Sequence, residues 1–99
     1  MKHIVILGST GSIGESALRV VSALPDRLRV VGLAANTNVD RLLAQAAEFG
    51  VAELAVGDLA AARVCADRAP AGVTVRAGPD GVDALEVVRI SPRSRKAML

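Results

Sequence analysis

The stretch of sequence that decides the fold is Gly8-Ser9-Thr10-Gly11-Ser12-Ile13-Gly14. It follows directly on His3–Leu7, a continuous apolar run that is typical of a strand buried on both faces of a parallel sheet. Gly8 allows a tight bend off that strand, Gly11 permits the close approach of an anion, and Gly14 lets the next helix lie against the strand. We therefore predict a strand, a phosphate-binding turn and a helix in direct succession.

The N-terminus of that helix is the predicted contact with a pyrophosphate. Unpaired backbone N–H groups at Gly11, Ser12 and Ile13, together with the helix dipole, favour an anion there. Glycine turns of this spacing also join strands to helices for structural reasons alone, but the strand before and the helix after favour nucleotide binding. The hydroxyls of Ser9, Thr10 and Ser12 can add hydrogen bonds. The cofactor-binding residues predicted on this turn are Gly8, Thr10, Gly11, Ser12, Ile13 and Gly14.

The helix after the turn is expected to end before Pro25, which breaks the helical pattern. Ser12 and Glu15 have the spacing of a capping box, in which each side chain bonds the backbone of the other residue. The apolar residues expected to form its buried stripe are Ile13, Ala17, Val20, Val21 and Leu24.

Two further strand and helix pairs follow. Leu28–Ala35 reads as the second strand, and Asn38 is placed to cap a helix that Gly50 closes in a left-handed conformation. The apolar face of that helix is predicted to comprise Val39, Leu42, Leu43 and Ala46.

The third strand is predicted at Val51–Val56, and Asp58 is placed to cap a third helix. Its expected apolar residues are Leu59, Ala62, Val64, Cys65 and Ala66. A short strand at Val73–Ala77 and a helix at Val82–Ile90 complete the pattern.

Strands that alternate with helices in this way predict an α/β fold built from parallel β-α-β units. The expected architecture is a Rossmann-like parallel sheet with helices on both faces, truncated to its first half. Residues 1–88 are predicted to be a partial NADPH-binding Rossmann domain, and residues 89–99 a basic tail that is disordered or non-native. The chain is expected to stop before the strands that complete such a sheet.

The cofactor preference is read at the end of the second strand, where NAD-specific sites usually place Asp or Glu on the ribose 2′-hydroxyl. This sequence has Asn36-Thr37-Asn38 there, and a loop without a carboxylate accepts a 2′-phosphate, which favours NADPH. Asn36 and Asn38 are the predicted contacts, and Arg41 is the nearest cation. Asn38 can equally serve only as a helix cap, and the two roles can coexist.

Composition restricts the remaining functions of a 99-residue chain. No apolar run approaches the ~20 residues that span a bilayer, and no signal peptide is apparent, so the expected location is the cytoplasm. The single cysteine, Cys65, excludes an intrachain disulfide and is expected to be buried on a helix. The basic end has no interleaved aromatic residues, which disfavours nucleic acid as a partner. Its basic residues are Arg89, Arg93, Arg95 and Lys96.

The turn 8–14, the strand residues 30–35 and the loop 36–40 together resemble the N-terminus of 1-deoxy-D-xylulose 5-phosphate reductoisomerase. Pro25-Asp26-Arg27, before the second strand, adds to the resemblance, which runs from Met1 to about Glu86. It implies that Thr10, Gly11, Ser12 and Ile13 bind the pyrophosphate, and that Asn36 and Asn38 belong to a 2′-phosphate loop. Members often have Gly where Asn36 stands and a basic residue where Thr37 stands.

For an intact enzyme the resemblance implies more than this chain contains. It implies an NADPH-dependent oxidoreductase of the non-mevalonate isoprenoid pathway, a homodimer that uses Mg or Mn to rearrange and reduce a phosphosugar to 2-C-methyl-D-erythritol 4-phosphate. The Asn-Lys-Glu-Ser stretch and the acidic metal ligands of the family are not found in this sequence. We therefore predict no catalytic residue and no metal ligand here, and no turnover by this chain alone.

Two other functions compete with this interpretation. A non-enzymatic nucleotide-sensing Rossmann module would need only the turn and the sheet. A short-chain reductase of another kind would need a Tyr-x-x-x-Lys pair, and the sequence has no tyrosine. The single histidine, His3, lies in the first predicted strand, where a structural role is favoured over that of a general base.

Overall fold

The computed structural model describes residues 2–78 and 94–98, the latter by their backbone. The predicted helix at 82–90 lies outside the described residues. The strands are β1 (Lys2–Leu7), β2 (Leu28–Ala35), β3 (Glu53–Val56), β4 (Thr74–Ala77) and β5 (Ser94–Met98). The helices are α1 (Ser12–Ala23), α2 (Val39–Phe49) and α3 (Leu59–Arg68). None of these helices is long and apolar enough to cross a membrane.

All five strands form one parallel sheet in the order β4-β3-β2-β1-β5. The α/β class and the parallel pairing are therefore confirmed. The chain proceeds outward from β1 to β4 and then returns to the other side of β1. In open α/β sheets such a reversal of strand order opens a crevice at the carboxyl ends of the strands, where ligands bind. The turn at 8–14 begins at that end of β1.

The strand β5 departs from what the sequence predicts for the end of the chain. Its backbone pairs along β1, from His3 beside Ser94 to Leu7 beside Met98. The sequence predicts no strand over these residues, so this pairing is a finding of the structure. Pairing uses backbone N–H and C=O groups, so a basic composition does not exclude it. The predicted boundary at residue 88 falls among residues that the structure does not describe.

The apolar residues of α1, α2 and α3 pack together on one face of the sheet. There Leu18 of α1, Leu42 of α2 and Cys65 of α3 meet strand residues such as Ile6 and Leu54. The second face carries a smaller cluster, whose fully or nearly buried members are Val5, Ala34 and Ala55. Burial raises the pKa of the Cys65 thiol, which matches the structural role expected for that residue.

The predicted buried stripe of α1 is partly wrong. The residues that α1 buries are Gly14, Leu18 and Val21, whereas Ile13 is 62% exposed and Val20 53% exposed. Both sets have helical spacing, so periodicity alone does not distinguish them. The contact of Gly14 with the preceding turn decides which side of the helix faces the sheet. On α3, likewise, Leu59 and Val64 are exposed, and the buried residues are Ala62 and Cys65.

The ends of α2 and α3 agree with the sequence. The Asn38 side chain accepts a hydrogen bond from the backbone N–H of Arg41 at 3.2 Å, and Asp58 accepts one from Ala61 at 2.8 Å. Gly50 closes α2 with φ of 66°. These caps depend on residues within one turn of each other, which is why the sequence predicts them.

Candidate dinucleotide-binding site

The turn after β1 begins with a residue in the left-handed region. Gly8 has φ of 68°, a conformation that residues with a Cβ rarely adopt. The backbone N–H of Gly11 then bonds to the Gly8 carbonyl oxygen at 3.2 Å, and the N–H of Ser9 bonds to the Ala34 oxygen of β2 at 3.0 Å. The predicted bend at Gly8 is confirmed, and a contact with the neighbouring strand holds it.

Gly14 is the residue that brings α1 against this turn. A Cβ added there would lie 2.3 Å from the Gly8 carbonyl oxygen and 2.6 Å from the Ser9 Cα, distances that real structures do not show. The predicted close approach at Gly14 is therefore confirmed. At Gly11, by contrast, an added Cβ would lie 3.5 Å from the Gly8 oxygen, an ordinary contact. The protein's own packing does not require glycine there, and its role toward a ligand stays a prediction.

The start of α1 presents backbone donors. Within the described part of the chain, the N–H groups of Ser12, Ile13 and Gly14 have no hydrogen-bond partner. The side chains of Ser12 and Ile13 are exposed, and Thr10 is half-buried in the turn. The expectation that Gly11 also offers its N–H is wrong, because that group closes the turn onto Gly8. Three donors at a helix N-terminus, where the dipole is positive, suit an anion.

The second predicted element of the site is the loop 36–38, at the carboxyl end of β2. Because Leu7 pairs with Ala34, this loop and the turn leave the sheet side by side. The side chains of Asn36, Thr37 and Asn38 are exposed. The Asn38 side chain caps α2, as one of the two open interpretations expects, so its oxygen already has a donor.

Asn36 is held by the end of β3, which the sequence does not reveal. Its carbonyl oxygen accepts a hydrogen bond from the Asp58 N–H at 3.0 Å. A Cβ added at Gly57 would lie 2.8 Å from the Asn36 Oδ1 atom. Gly57 therefore leaves the space that the Asn36 side chain occupies.

The capping box predicted for α1 is wrong. Its N-cap is Gly11, with no side-chain cap, and Glu15 instead contacts α2. The two Glu15 oxygens accept from Arg41, one from Nε at 2.6 Å and the other from Nη2 at 2.9 Å. This bidentate pair lowers the pKa of Glu15 and raises that of Arg41. Arg41, the candidate cation for a 2′-phosphate, thus already has an anionic partner.

Gln45 contacts the turn, and the sequence gives no prediction for it. Its side chain is fully buried on the apolar face of α2. The Nε2 atom donates to the Ser9 carbonyl oxygen at 2.8 Å and to a Glu15 oxygen at 2.7 Å. An amide between Leu42 and Ala46 on an otherwise apolar face is a signal that could have found it, because buried polar groups usually have partners.

Metal-ligating side chains form no cluster among the residues whose side chains the structure describes. No group of three or more His, Cys, Asp or Glu residues there could hold a metal ion. His3 is half-buried in β1. The described residues thus do not fit a divalent metal.

Comparison with known proteins identifies the family. The model of the 1-deoxy-D-xylulose 5-phosphate reductoisomerase family matches residues 4–93. The chain belongs to this family. Relatives named 1-deoxy-D-xylulose 5-phosphate reductoisomerase include one from Anaeromyxobacter sp. (strain K), 51% identical over 85 residues, which are 86% of this chain and 22% of the relative. Another, from Mycobacterium marinum, is 51% identical over 84 residues, 84% of this chain and 19% of the relative.

Solved reductoisomerase structures share the fold. The Zymomonas mobilis enzyme in complex with NADPH superposes with a TM-score of 0.77 at 29% identity, over 85% of this chain and 22% of that one. A reductoisomerase in complex with NADPH, fosmidomycin and magnesium gives 0.76 at 28% identity, over 90% and 22%. The chain thus spans about a fifth of the length of the reductoisomerases it matches.

The family resemblance that was inferred from the turn and the loop is therefore confirmed. The matched region contains the turn, the loop, most of β1 and all of β2, β3 and β4. The roles of the individual residues toward a cofactor stay predictions.

Proposed function

We propose that this chain is the N-terminal, NADPH-binding portion of a 1-deoxy-D-xylulose 5-phosphate reductoisomerase. The observation that carries the proposal is the set of unpartnered backbone donors at the start of α1, directly after the left-handed Gly8. These N–H groups, on Ser12, Ile13 and Gly14, lie at the carboxyl end of β1, beside the reversal of strand order. A pyrophosphate is the part of a dinucleotide that such a site accepts.

The other proposed contacts with the cofactor come from residues at the carboxyl ends of β1 and β2. The hydroxyls of Thr10 and Ser12 are available to bond pyrophosphate oxygens. Asn36 and Asn38 are assigned to the adenosine ribose and its 2′-phosphate, because their loop leaves the neighbouring strand. A side-chain carboxylate that would repel a 2′-phosphate is absent from residues 36–39. When bound, NADPH supplies the hydride for the reduction.

The chemistry belongs to the whole enzyme. We assign to it the rearrangement and NADPH-dependent reduction of 1-deoxy-D-xylulose 5-phosphate to 2-C-methyl-D-erythritol 4-phosphate, in the non-mevalonate pathway of isoprenoid synthesis. The names of the relatives and the NADPH, fosmidomycin and magnesium in solved family structures support this assignment. A divalent metal, Mg or Mn, a homodimer and a cytoplasmic location belong to the same proposal. This chain by itself is expected to bind cofactor without turnover.

Titration of the chain with NADPH and with NADH, followed by cofactor fluorescence, tests the proposal. A circular dichroism melt of the same sample establishes that it is folded. We expect saturable binding, tighter for NADPH than for NADH. A folded sample that binds neither dinucleotide would contradict the cofactor assignment, and equal affinity for both would contradict the assignment of the 36–38 loop to the 2′-phosphate.

A further inference from the structure

The buried amide of Gln45 is oriented by the groups around it. Its Nε2 atom faces two acceptors, the Ser9 carbonyl oxygen at 2.8 Å and a Glu15 carboxylate oxygen at 2.7 Å. Rotating the amide by half a turn would bring three oxygens together with no hydrogen between them. Within the described residues the Gln45 Oε1 atom has no partner, so the two donated bonds are what orient the side chain.

One of these bonds acts on Ser9, the second residue of the glycine turn. Ser9 is fully buried, and its N–H donates to Ala34 of β2 at 3.0 Å while its carbonyl accepts from Gln45 of α2. Both backbone polar groups of Ser9 are thus held by separate elements. The peptide that leads from Ser9 to Thr10 is therefore anchored on one side by the sheet and on the other by α2.

Glu15 helps to fix the Gln45 side chain, which is the anchor of Ser9 on the α2 side. It lies in the first turn of α1, directly after the three unpartnered N–H groups, and accepts from both Gln45 and Arg41. Gln45 thus joins Ser9, three residues before the first donor, to Glu15, which directly follows the last. Preorganised backbone donors bind an anion without the cost of ordering them at the moment of binding.

We propose that Gln45 is a positioning residue for the dinucleotide pyrophosphate, acting by holding Ser9 and Glu15 so that the N–H groups of Ser12, Ile13 and Gly14 point at one anion. This inference rests on the proposed NADPH site. Gln45 itself is buried beneath the turn and does not touch the cofactor.

The test is the variant Gln45→Met, which keeps a side chain of similar length and removes both donors. We expect NADPH to bind about tenfold more weakly, the loss that one to two neutral hydrogen bonds produce. NADH should weaken by the same factor, because the two cofactors share the pyrophosphate. In amide NMR spectra, the signals of Ser12 and Ile13 should shift and exchange faster with solvent.

The matched control is Leu42→Met, a change of similar kind one helical turn away on the same buried face of α2. It should leave both affinities unchanged. Gln45→Glu serves as the second variant: it keeps the shape of the side chain but places an acceptor against two oxygens, and it should weaken binding at least as much.

The outcomes separate the inference from the function on which it rests. If the parent chain binds NADPH and a folded Gln45 variant binds it equally well, the positioning role is overturned and the proposed function stands. An equal loss in Leu42→Met would also overturn it, since general packing would then explain the effect. A folded parent that binds no dinucleotide overturns both.

Discussion

The turn at 8–14 and the loop at 36–38 leave neighbouring strands at the same end of the sheet, but they offer a ligand different groups. The turn presents backbone N–H groups with no partner in the described part of the chain. In the loop, the Asn38 oxygen caps α2 and the Asn36 carbonyl accepts from Asp58. The nearest cation, Arg41, is paired with Glu15.

The difference explains why a sequence predicts one half of the site better than the other. The backbone donors of the turn follow from where glycines stand relative to a strand and a helix. The loop depends on side chains whose partners come from other elements, such as Gly57 beside Asn36. A local sequence motif therefore predicts backbone donors, whereas it does not predict side-chain groups whose positions depend on distant residues.

Gly14→Ala should have the largest effect on stability, because the added methyl group prevents the close approach of α1 to the turn. The added Cβ would meet the Gly8 oxygen at 2.3 Å, so backbone must shift. We expect a loss of about 3 kcal/mol in the free energy of unfolding, measured by urea denaturation. A variant within half of one kcal/mol of the parent would mean that α1 adjusts easily, and the turn would then be no more rigid than the loop.

Gly11→Ala separates ligand binding from folding within the same turn. Its Cβ would have only an ordinary contact, at 3.5 Å, so the stability cost should stay near that of replacing a glycine N-cap by alanine, about 1 kcal/mol or less. The methyl group would stand where an anion approaches the backbone, and NADPH affinity should fall about tenfold. Unchanged affinity would show that the pyrophosphate does not approach Gly11 closely.

Gly57→Ala tests whether the 36–38 loop contributes to the preference for NADPH over NADH. The new Cβ would displace the Asn36 side chain, whose Oδ1 atom lies 2.8 Å away, and the exposed end of that side chain can move. We therefore expect stability to change little and the ratio of NADPH to NADH affinity to change by about two- to fivefold. The control is the same substitution in an Asn36→Ala background, where the ratio should stay constant. A change that persists there would remove Asn36 from the explanation.

Glu15→Gln should have the smallest effect on stability, and the size of this effect should depend on pH. The hydrogen bond from Arg41 holds the pKa of Glu15 below its ordinary value in the folded chain. Such a carboxylate stabilises the fold above its unfolded pKa, about 4.3 for glutamate, and this contribution is lost as the pH falls through the folded pKa. The parent should therefore exceed the variant in stability at neutral pH, with the difference vanishing at low pH.

Urea midpoints at neutral pH and at about pH 3 measure this difference. The exposed Asp67 of α3 supplies the control Asp67→Asn. If the Glu15 and Asp67 variants behave alike, the bond between α1 and α2 contributes nothing measurable, as is common for exposed ion pairs.

Local chemistry accounts for most of what the sequence predicted correctly. The bounds of β2, the caps at Asn38 and Asp58 and the left-handed Gly50 each depend on residues within a few positions of one another. The failures depend on distant partners. Ser12 and Glu15 have capping-box spacing, but Glu15 contacts Arg41, 26 residues away, because α2 lies beside α1 in the folded chain.

By itself the sequence determined that this protein has a parallel α/β sheet and a glycine turn between β1 and α1, because glycine positions and apolar periodicity act through the backbone nearby. Only the tertiary structure decided which side of α1 is buried, that Gln45 holds Ser9, and that β5 pairs with β1. Each of these depends on a surface that a second element supplies, so no local pattern contains it.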